Sequence, residues 1–172
     1  MISLQANDFE LFGLPMQFPL ERSELDARWK DLQRQAHPDR FASEGAAAQR
    51  VAMQWSVRIN EAFQRLKDPV KRAAYLCELH GAPVNAENNT AMPSAFLMQQ
   101  MAWREALEDK PTEAAMNDLM DEVQARRQDV LNDMALALQV ADYPQAVGQV
   151  RALMFIDRFA DDVGHQLDKL LG

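Results

Sequence analysis

The chain has 172 residues, enough for one ordinary domain or two small ones. Hydrophobic residues make up 48% and charged residues 26%, a composition too apolar for an intrinsically disordered protein. Good helix formers are plentiful, glycine and proline are sparse, and no stretch has the β-branched and aromatic run typical of strands. We therefore expect an all-α fold.

The formal net charge of −8 is unevenly distributed along the chain. Residues 1–80 contain 11 Lys+Arg and 11 Asp+Glu, whereas residues 81–172 contain 7 and 15, so the second half carries the whole excess. Nucleic-acid binding depends on basic residues that neutralise phosphates. An acidic half and a pI near 4.9 argue against that function.

The sequence also indicates a compartment. The single cysteine, Cys77, cannot form an internal disulfide, which fits a reducing environment. The first residues have neither the basic and apolar regions of a signal peptide nor an arginine-rich transit segment, and no apolar run is long enough to span a bilayer. We expect a cytoplasmic protein that does not bind membranes.

The first 36 residues predict two helices. An apolar cluster at 9–14, closed by Gly13, predicts a helix of one or two turns. Between residues 20 and 36, apolar side chains recur at spacings of four, three and four: Leu25, Trp29, Leu32 and Ala36. That stripe is typical of an amphipathic helix, which Pro38 must end because proline cannot continue the hydrogen-bond ladder.

Two more helices complete the first half. Residues 37–45 predict a loop, with Ser43 as the candidate N-cap of a helix over 46–67. Pro69 then suits the first turn of a shorter helix that reaches about residue 79. Turn formers dominate residues 81–93, so we place a linker at 81–92 between a first domain, 1–80, and a second, 93–172.

The second half predicts three helices, over about 93–109, 112–140 and 142–171, with Pro144 in the first turn of the last one. Short turns connect them, which is typical of a three-helix antiparallel bundle. The two longer helices have apolar stripes at helical spacing: Met116, Leu119, Val123, Val130 and Met134, then Val147, Val150, Met154, Ala160, Val163, Leu167 and Leu170.

The tripeptide His37-Pro38-Asp39 lies between two amphipathic helices. Taken alone, it is more often a proline-bearing helix terminator than a functional motif. Its surroundings argue otherwise, because Phe9-Glu10-Leu11-Phe12-Gly13-Leu14 precedes it and an INEAF…LKDP…KRAAY run, residues 59–75, follows. This order resembles the J-domain over roughly residues 8–78.

The resemblance implies a four-helix domain that docks on a DnaK-type chaperone and stimulates its ATP hydrolysis. The tripeptide would then be the activating loop, and the basic face of the second helix would supply Arg28, Lys30 and Arg34 as chaperone contacts. A solvated polar face is the alternative for these three side chains. Asp26 and Asp31 stand among them, which favours a dedicated partner because like charges exclude others.

The first helix of the second half has two kinds of face. Phe96, Trp103 and Leu107 follow each other at seven and four and can fill a core. Two adjoining stripes combine apolar and acidic residues. Met98, Met101, Glu105 and Asp109 follow each other at three, four and four, and Leu97, Met101 and Glu108 lie next to them. Core packing is the commoner role for such apolar residues, but the separate core stripe leaves these free to contact a partner.

This segment and residues 151–157 resemble the C-terminal domain of HscB-type co-chaperones of iron–sulfur cluster assembly, and the order of domains is similar throughout. The resemblance implies that the bundle binds an IscU-type scaffold protein and that the J-domain activates an HscA/DnaK-type chaperone. The scaffold contacts would be Leu97, Met98, Met101, Glu105, Asp109 and Phe155. The zinc-binding cysteine module of some eukaryotic relatives is missing, which favours the bacterial type.

No enzyme is predicted. The three histidines are dispersed, and the sequence has neither a phosphate-binding glycine loop nor a nucleophile with a matching base. Cys77 and His80 share a helix face, but two ligands do not make a structural zinc site, so we expect no metal and no cofactor. Three alternatives stay open: a general J-protein for unfolded clients, an inactive helical scaffold, and a metal-binding enzyme.

Overall fold

A computed structural model of the chain describes residues 3–85, 94–109 and 111–172. Within these ranges the regular structure is entirely helical, as expected. The α-helices are α1 (Asp8–Phe12), α2 (Arg22–Ala36), α3 (Ala46–Lys67), α4 (Pro69–Leu79), α5 (Ser94–Glu108), α6 (Glu113–Gln139) and α7 (Tyr143–Leu171). Contacts divide the chain into two compact units, Met1–Leu76 and Cys77–Gly172.

The first unit is built around an antiparallel hairpin of α2 and α3. Leu25 and Leu66 have no exposed surface, and the rings of Trp29 and Phe63 stack with their centroids 4.7 Å apart. Asn60 Oδ1 accepts hydrogen bonds from Trp29 Nε1, at 3.0 Å, and from Gln33 Nε2, at 2.6 Å. These pairs fix the register of the two helices.

Helix α1 is held against α3 by a buried carboxylate. Asp8 has no exposed surface, and its oxygens lie 2.8 Å from Arg58 Nη1 and 2.6 Å from Arg65 Nε. The backbone N–H of Asp8 donates to the Tyr75 hydroxyl of α4 at 3.0 Å. Burial raises the pKa of Tyr75, which keeps that hydroxyl neutral. One acid thus ties three helices together.

The connection between α2 and α3 differs from the sequence-based expectation. Residues Pro38–Glu44 form a 3-10 helix rather than a loop, and Ser43 lies inside it. The N-cap of α3 is Gly45, with φ of 98° and ψ of 170° and no side-chain cap. The Ser43 prediction is wrong because the chain enters α3 through a conformation that glycine adopts far more readily than serine.

The second unit contains the predicted bundle. Arg127 Nε donates to Asp157 Oδ1 at 2.7 Å between the antiparallel α6 and α7, whose facing sides are apolar. Thr112 and Asp142 cap these helices by accepting from Ala115 N and Gln145 N, at 3.1 and 3.2 Å. The α6 stripe is buried as predicted: Met116, Leu119, Val123, Val130 and Met134.

The division between the units falls inside α4. Leu76 packs in the core of the first unit, whereas Cys77 and Val84 are buried in the second. Arg151 of α7 donates to the Val84 carbonyl through Nε, at 3.0 Å, and Nη2, at 2.8 Å. The predicted boundary at residue 80 stays a prediction, and most of the predicted linker, residues 86–92, lies outside the described residues.

Candidate partner-binding surfaces

The tripeptide lies at the end of the α2–α3 hairpin. His37 is the C-cap of α2, and Pro38 begins the 3-10 helix. His37 Nδ1 accepts a hydrogen bond from the Asp39 backbone N–H at 3.2 Å, which places the ring proton of neutral His37 on Nε2. The side chains of His37 and Asp39 are 57% and 92% exposed. A short local bond therefore orients two polar groups that face solvent.

Cationic side chains lie next to this tripeptide. Arg34 and His37 line a shallow hollow together with Gln33 and Arg40. Arg34 Nη2 lies 3.3 Å from Asp31 Oδ1, but both side chains are largely exposed, so this pair holds Arg34 only weakly. Arg40 Nη1 donates to the Arg34 carbonyl at 3.4 Å. Arg40 is a further cation of this surface beyond the predicted contacts, and its position directly after the tripeptide is the signal in the sequence that points to it.

The other two predicted chaperone contacts have different surroundings. The Lys30 side chain is exposed and forms no hydrogen bond or ion pair within the described part of the chain. Arg28 is engaged inside the unit: its Nη1 donates to the Phe12 carbonyl at 2.9 Å, and its Nη2 pairs with Glu24 at 3.0 Å. Arg28 therefore stabilises the end of α1, whereas Lys30 and Arg34 project outward.

Helix α5 separates a core face from an exposed apolar face. Phe96 and Trp103 are buried, with 0% and 2% of their surfaces exposed. On another face, Leu97, Met98 and Met101 are 43%, 75% and 67% exposed. We call these three residues the Leu/Met patch. Their exposure agrees with the sequence-based expectation that a separate stripe supplies the core contacts of this helix, although Leu107, the third predicted member of that stripe, is only partly buried.

Acidic residues extend the Leu/Met patch toward the C-terminal end of α5. Glu105, Glu108 and Asp109 are exposed, and a shallow hollow lies among them beside Ala102 and Ala106. Carboxylates at the C-terminal end of a helix oppose its dipole, at a typical cost of about 0.3–1 kcal/mol each. Their position is unfavourable for the isolated helix and well suited to a cationic partner surface.

Phe155 lies beneath α5 rather than on its surface. Its side chain is 9% exposed, and its ring lies 5.8 Å from that of Phe96 and 6.1 Å from that of Phe159. The Arg104 guanidinium lies 5.5 Å above the Phe155 ring. Phe155 is chiefly a core residue that supports α5, and its role as a direct scaffold contact stays a prediction.

Two further searches concern membranes and metals. None of the helices among the described residues is both long and apolar enough to cross a bilayer. Within residues 3–85, 94–109 and 111–172, no three His, Cys, Asp or Glu side chains are grouped so that they could hold a metal ion.

A helical hairpin that exposes His-Pro-Asp at its end, followed by a three-helix bundle, defines a class of protein: the J-domain co-chaperones. Comparison with solved structures agrees. The chaperone HscB from Vibrio cholerae matches with a TM-score of 0.82 and 36% identity, over 96% of this chain and 99% of that one. The human co-chaperone HscB, 23% identical, shares the fold with a TM-score of 0.89, over 96% of this chain and 84% of that one.

Sequence comparison gives the family. The model of the HSCB C-terminal oligomerisation domain matches residues 92–164. The co-chaperone protein HscB homologs of Burkholderia thailandensis and Paraburkholderia xenovorans are 47% and 48% identical, each over 99% of both chains. The chain belongs to the HscB family of co-chaperones, and this family membership supports a co-chaperone role in iron–sulfur cluster assembly.

Proposed function

We propose that this chain is an adaptor with two binding ends that acts in the cytoplasm. The Leu/Met patch and its acidic neighbours bind an IscU-type scaffold protein. The J-domain stimulates ATP hydrolysis by an HscA/DnaK-type chaperone. The observation that carries the proposal is the exposure of Leu97, Met98 and Met101 on a helix whose two aromatic side chains are buried.

The chaperone end is supported by the geometry around His37 and Asp39. The His37 imidazole and the Asp39 carboxylate are exposed on a short turn whose conformation Pro38 restricts, so they lose little freedom on binding. Lys30 and Arg34 lie one turn apart on α2 and add positive charge beside the turn. These cations would attract an acidic chaperone surface.

The scaffold end is supported by the arrangement along α5. Flexible Met and Leu side chains can adapt to a partner surface, and their burial there is favourable. Glu105, Glu108 and Asp109 select a partner with cations beside its apolar groove, because like charges facing one another are costly. The expected partner surface is therefore apolar at one end and basic at the other.

In the proposed order of events, this chain catalyses no reaction itself. It binds the scaffold, with or without its cluster, and brings it to the chaperone. Stimulated ATP hydrolysis then traps the scaffold in the high-affinity state of the chaperone, from which the cluster, the cargo of the system, passes to acceptor proteins.

The scaffold end is tested by calorimetric titration with an IscU-type scaffold. We expect the double change Leu97→Ala and Met98→Ala to weaken binding by tenfold or more, because each large apolar side chain buried at an interface contributes roughly 1.5–3 kcal/mol. Phe155 is a poor choice here, since alanine in its place would open a cavity in the aromatic core.

Leu136→Ala is the matched control. Leu136 is a 61% exposed leucine on α6, outside the Leu/Met patch. Its replacement should leave the scaffold affinity unchanged. Equal affinities for the wild-type chain and the double variant would show that α5 does not bind the scaffold.

A further inference from the structure

Two methionines stand out by their exposure. Of the methionines that the structure describes, Met98 and Met101 on α5 are the most exposed, at 75% and 67%. They lie three residues apart on one helix, so one ligand would cover both sulfur atoms. Met116 and Met134 in the bundle core, by contrast, are 1% and 0% exposed.

An exposed thioether is open to oxidation. A peroxide transfers one oxygen atom to the methionine sulfur: the peroxide O–O bond breaks, an S=O bond forms, and hydrogen peroxide is reduced to water. The product, methionine sulfoxide, is polar, and dedicated reductases with one enzyme per epimer convert it back to the thioether. Leu97, the third member of the Leu/Met patch, cannot react in this way.

We propose that Met98 and Met101 are a reversible oxidation site that controls scaffold binding. This inference rests on the proposed function of the Leu/Met patch. Peroxide converts the centre of an apolar contact surface into two sulfoxides, and reduction restores it. The reversible loss would stop the delivery of iron–sulfur scaffolds while peroxide is present.

The physical basis is the desolvation of the new polar groups. Burial of a thioether by a partner is favourable. A buried sulfoxide oxygen, by contrast, must lose its hydrating water and needs a hydrogen-bond donor in its place. The neighbouring acids Glu105 and Asp109 cannot supply one, since ionised carboxylates only accept hydrogen bonds. A loss of roughly tenfold in affinity for each oxidised side chain is expected.

The rest of the molecule provides internal controls. Met16 and Met53 are 46% and 54% exposed, but both lie in the first unit, so their oxidation should not change scaffold binding. The only cysteine, Cys77, is buried, with 0% of its surface exposed, which protects it from the same peroxide.

In the experiment, the 172-residue chain alone is oxidised with hydrogen peroxide, the peroxide is removed with catalase, and an IscU-type scaffold is then titrated in. Peptide mass spectrometry measures the sulfoxide at each methionine. We expect oxidation to weaken binding by at least tenfold and both epimer-specific sulfoxide reductases together to restore it. The double change Met98→Leu and Met101→Leu nearly conserves volume and removes both sulfur atoms. The affinity of this variant before oxidation is its own reference, and we expect the same affinity after oxidation.

The possible results distinguish failure of the oxidation site from failure of the proposed function. Unchanged affinity of a wild-type chain oxidised at Met98 and Met101 would overturn the inference, as would an equal loss in the leucine variant, which would place the sensitive residue elsewhere. If the unoxidised wild-type chain bound no scaffold, the proposed function would fail and this inference with it. Normal binding before and after oxidation would overturn the oxidation site alone.

Discussion

Asp8 is a carboxylate without exposed surface, and Arg58 and Arg65 compensate for its burial. A buried ion pair contributes little compared with a well-packed apolar substitute, but removing one partner leaves charge uncompensated. The two guanidinium groups differ in exposure, since the side chains of Arg58 and Arg65 are 18% and 39% exposed. Water therefore screens part of the interaction with Arg65.

Asp8→Asn tests this ion pair. The amide keeps the size of the side chain and removes its charge, so we expect the free energy of unfolding of the first unit to fall by about 3 kcal/mol, the lower end for a broken buried pair. Urea denaturation followed by circular dichroism measures it. Asp26→Asn, which breaks the exposed pair with Arg22, is the control and should cost less than about 1 kcal/mol. Equal effects would contradict the assigned role of Asp8.

Cys77 is a second residue whose behaviour follows from burial. Loss of hydration raises the pKa of its thiol from 9.0 to about 11. The contribution of Cys77 to the free energy of unfolding is therefore fully present below pH 9. It is lost as the pH rises toward 11, because the thiol of the unfolded chain ionises first. Near neutral pH the folded thiol stays protonated and unreactive.

Alkylation measures this protection. With iodoacetamide at pH 8, we expect Cys77 to react in the native chain far more slowly than in urea, because only the unfolded chain exposes the thiol and lets it ionise. Mass spectrometry follows the modification over time. Equal rates in the two states would show that Cys77 is accessible in the folded protein.

At the scale of elements, the end of α1 depends on a glycine and an arginine. Gly13 is the C-cap, with φ of 64°, and a Cβ at this position would lie 2.9 Å from Arg28 Nη1. That nitrogen donates to the Phe12 carbonyl. A side chain at position 13 would therefore meet a strained backbone and displace the group that caps the helix.

Two glycine-to-alanine changes should have opposite signs. Gly13→Ala is expected to lower the free energy of unfolding by about 1–2 kcal/mol through strain and the lost Arg28 contact. Gly164→Ala in α7, where a Cβ meets nothing within 4 Å, should raise it by about 0.5–1 kcal/mol because alanine favours the helix. Thermal denaturation of both variants gives the comparison. A stabilising Gly13→Ala would disprove the cap.

The apolar periodicity predicted well which segments are helical. It predicted less consistently which face of each helix is buried. The α6 stripe is buried as expected, whereas in the 29-residue α7 the predicted Leu170 is 41% exposed and the core includes Leu153, Ile156 and Phe159. A long helix with apolar residues on several sides does not reveal which side meets α6. Its packing partners decide that, and they lie far away in sequence.

The predicted binding residues show the same limit. The exposure of Met98 and Met101 could be predicted, because the separate stripe of Phe96 and Trp103 accounts for the core. The engagement of Arg28 with the Phe12 carbonyl could not, since it depends on a tertiary contact between α1 and α2. The sequence does not show which distant residues a single polar side chain will contact in the fold.

At the scale of the whole molecule, the two proposed binding ends differ in charge. Residues 1–80 are balanced at 11 basic and 11 acidic side chains, and their outward cations include Lys30 and Arg34. Residues 81–172 carry the net −8 and the acidic neighbours of the Leu/Met patch. An adaptor with such ends discriminates between an acidic and a basic partner, because each end repels the partner of the other.

The central claim is that one chain must carry both ends. The most direct measurement is the steady-state ATP hydrolysis of an HscA/DnaK-type chaperone with an IscU-type scaffold, at a co-chaperone concentration too low for the J-domain to act without scaffold. Four additions are compared: the wild-type chain, His37→Gln, the Leu97→Ala and Met98→Ala double variant, and an equimolar mixture of the two variants.

We expect strong stimulation by the wild-type chain and little by either variant. The double variant should regain stimulation only at high concentration, where its intact J-domain acts alone. The mixture should do no better than its components, because neither molecule both binds the scaffold and activates the chaperone. Full stimulation by the His37→Gln chain, or by the mixture, would contradict the account.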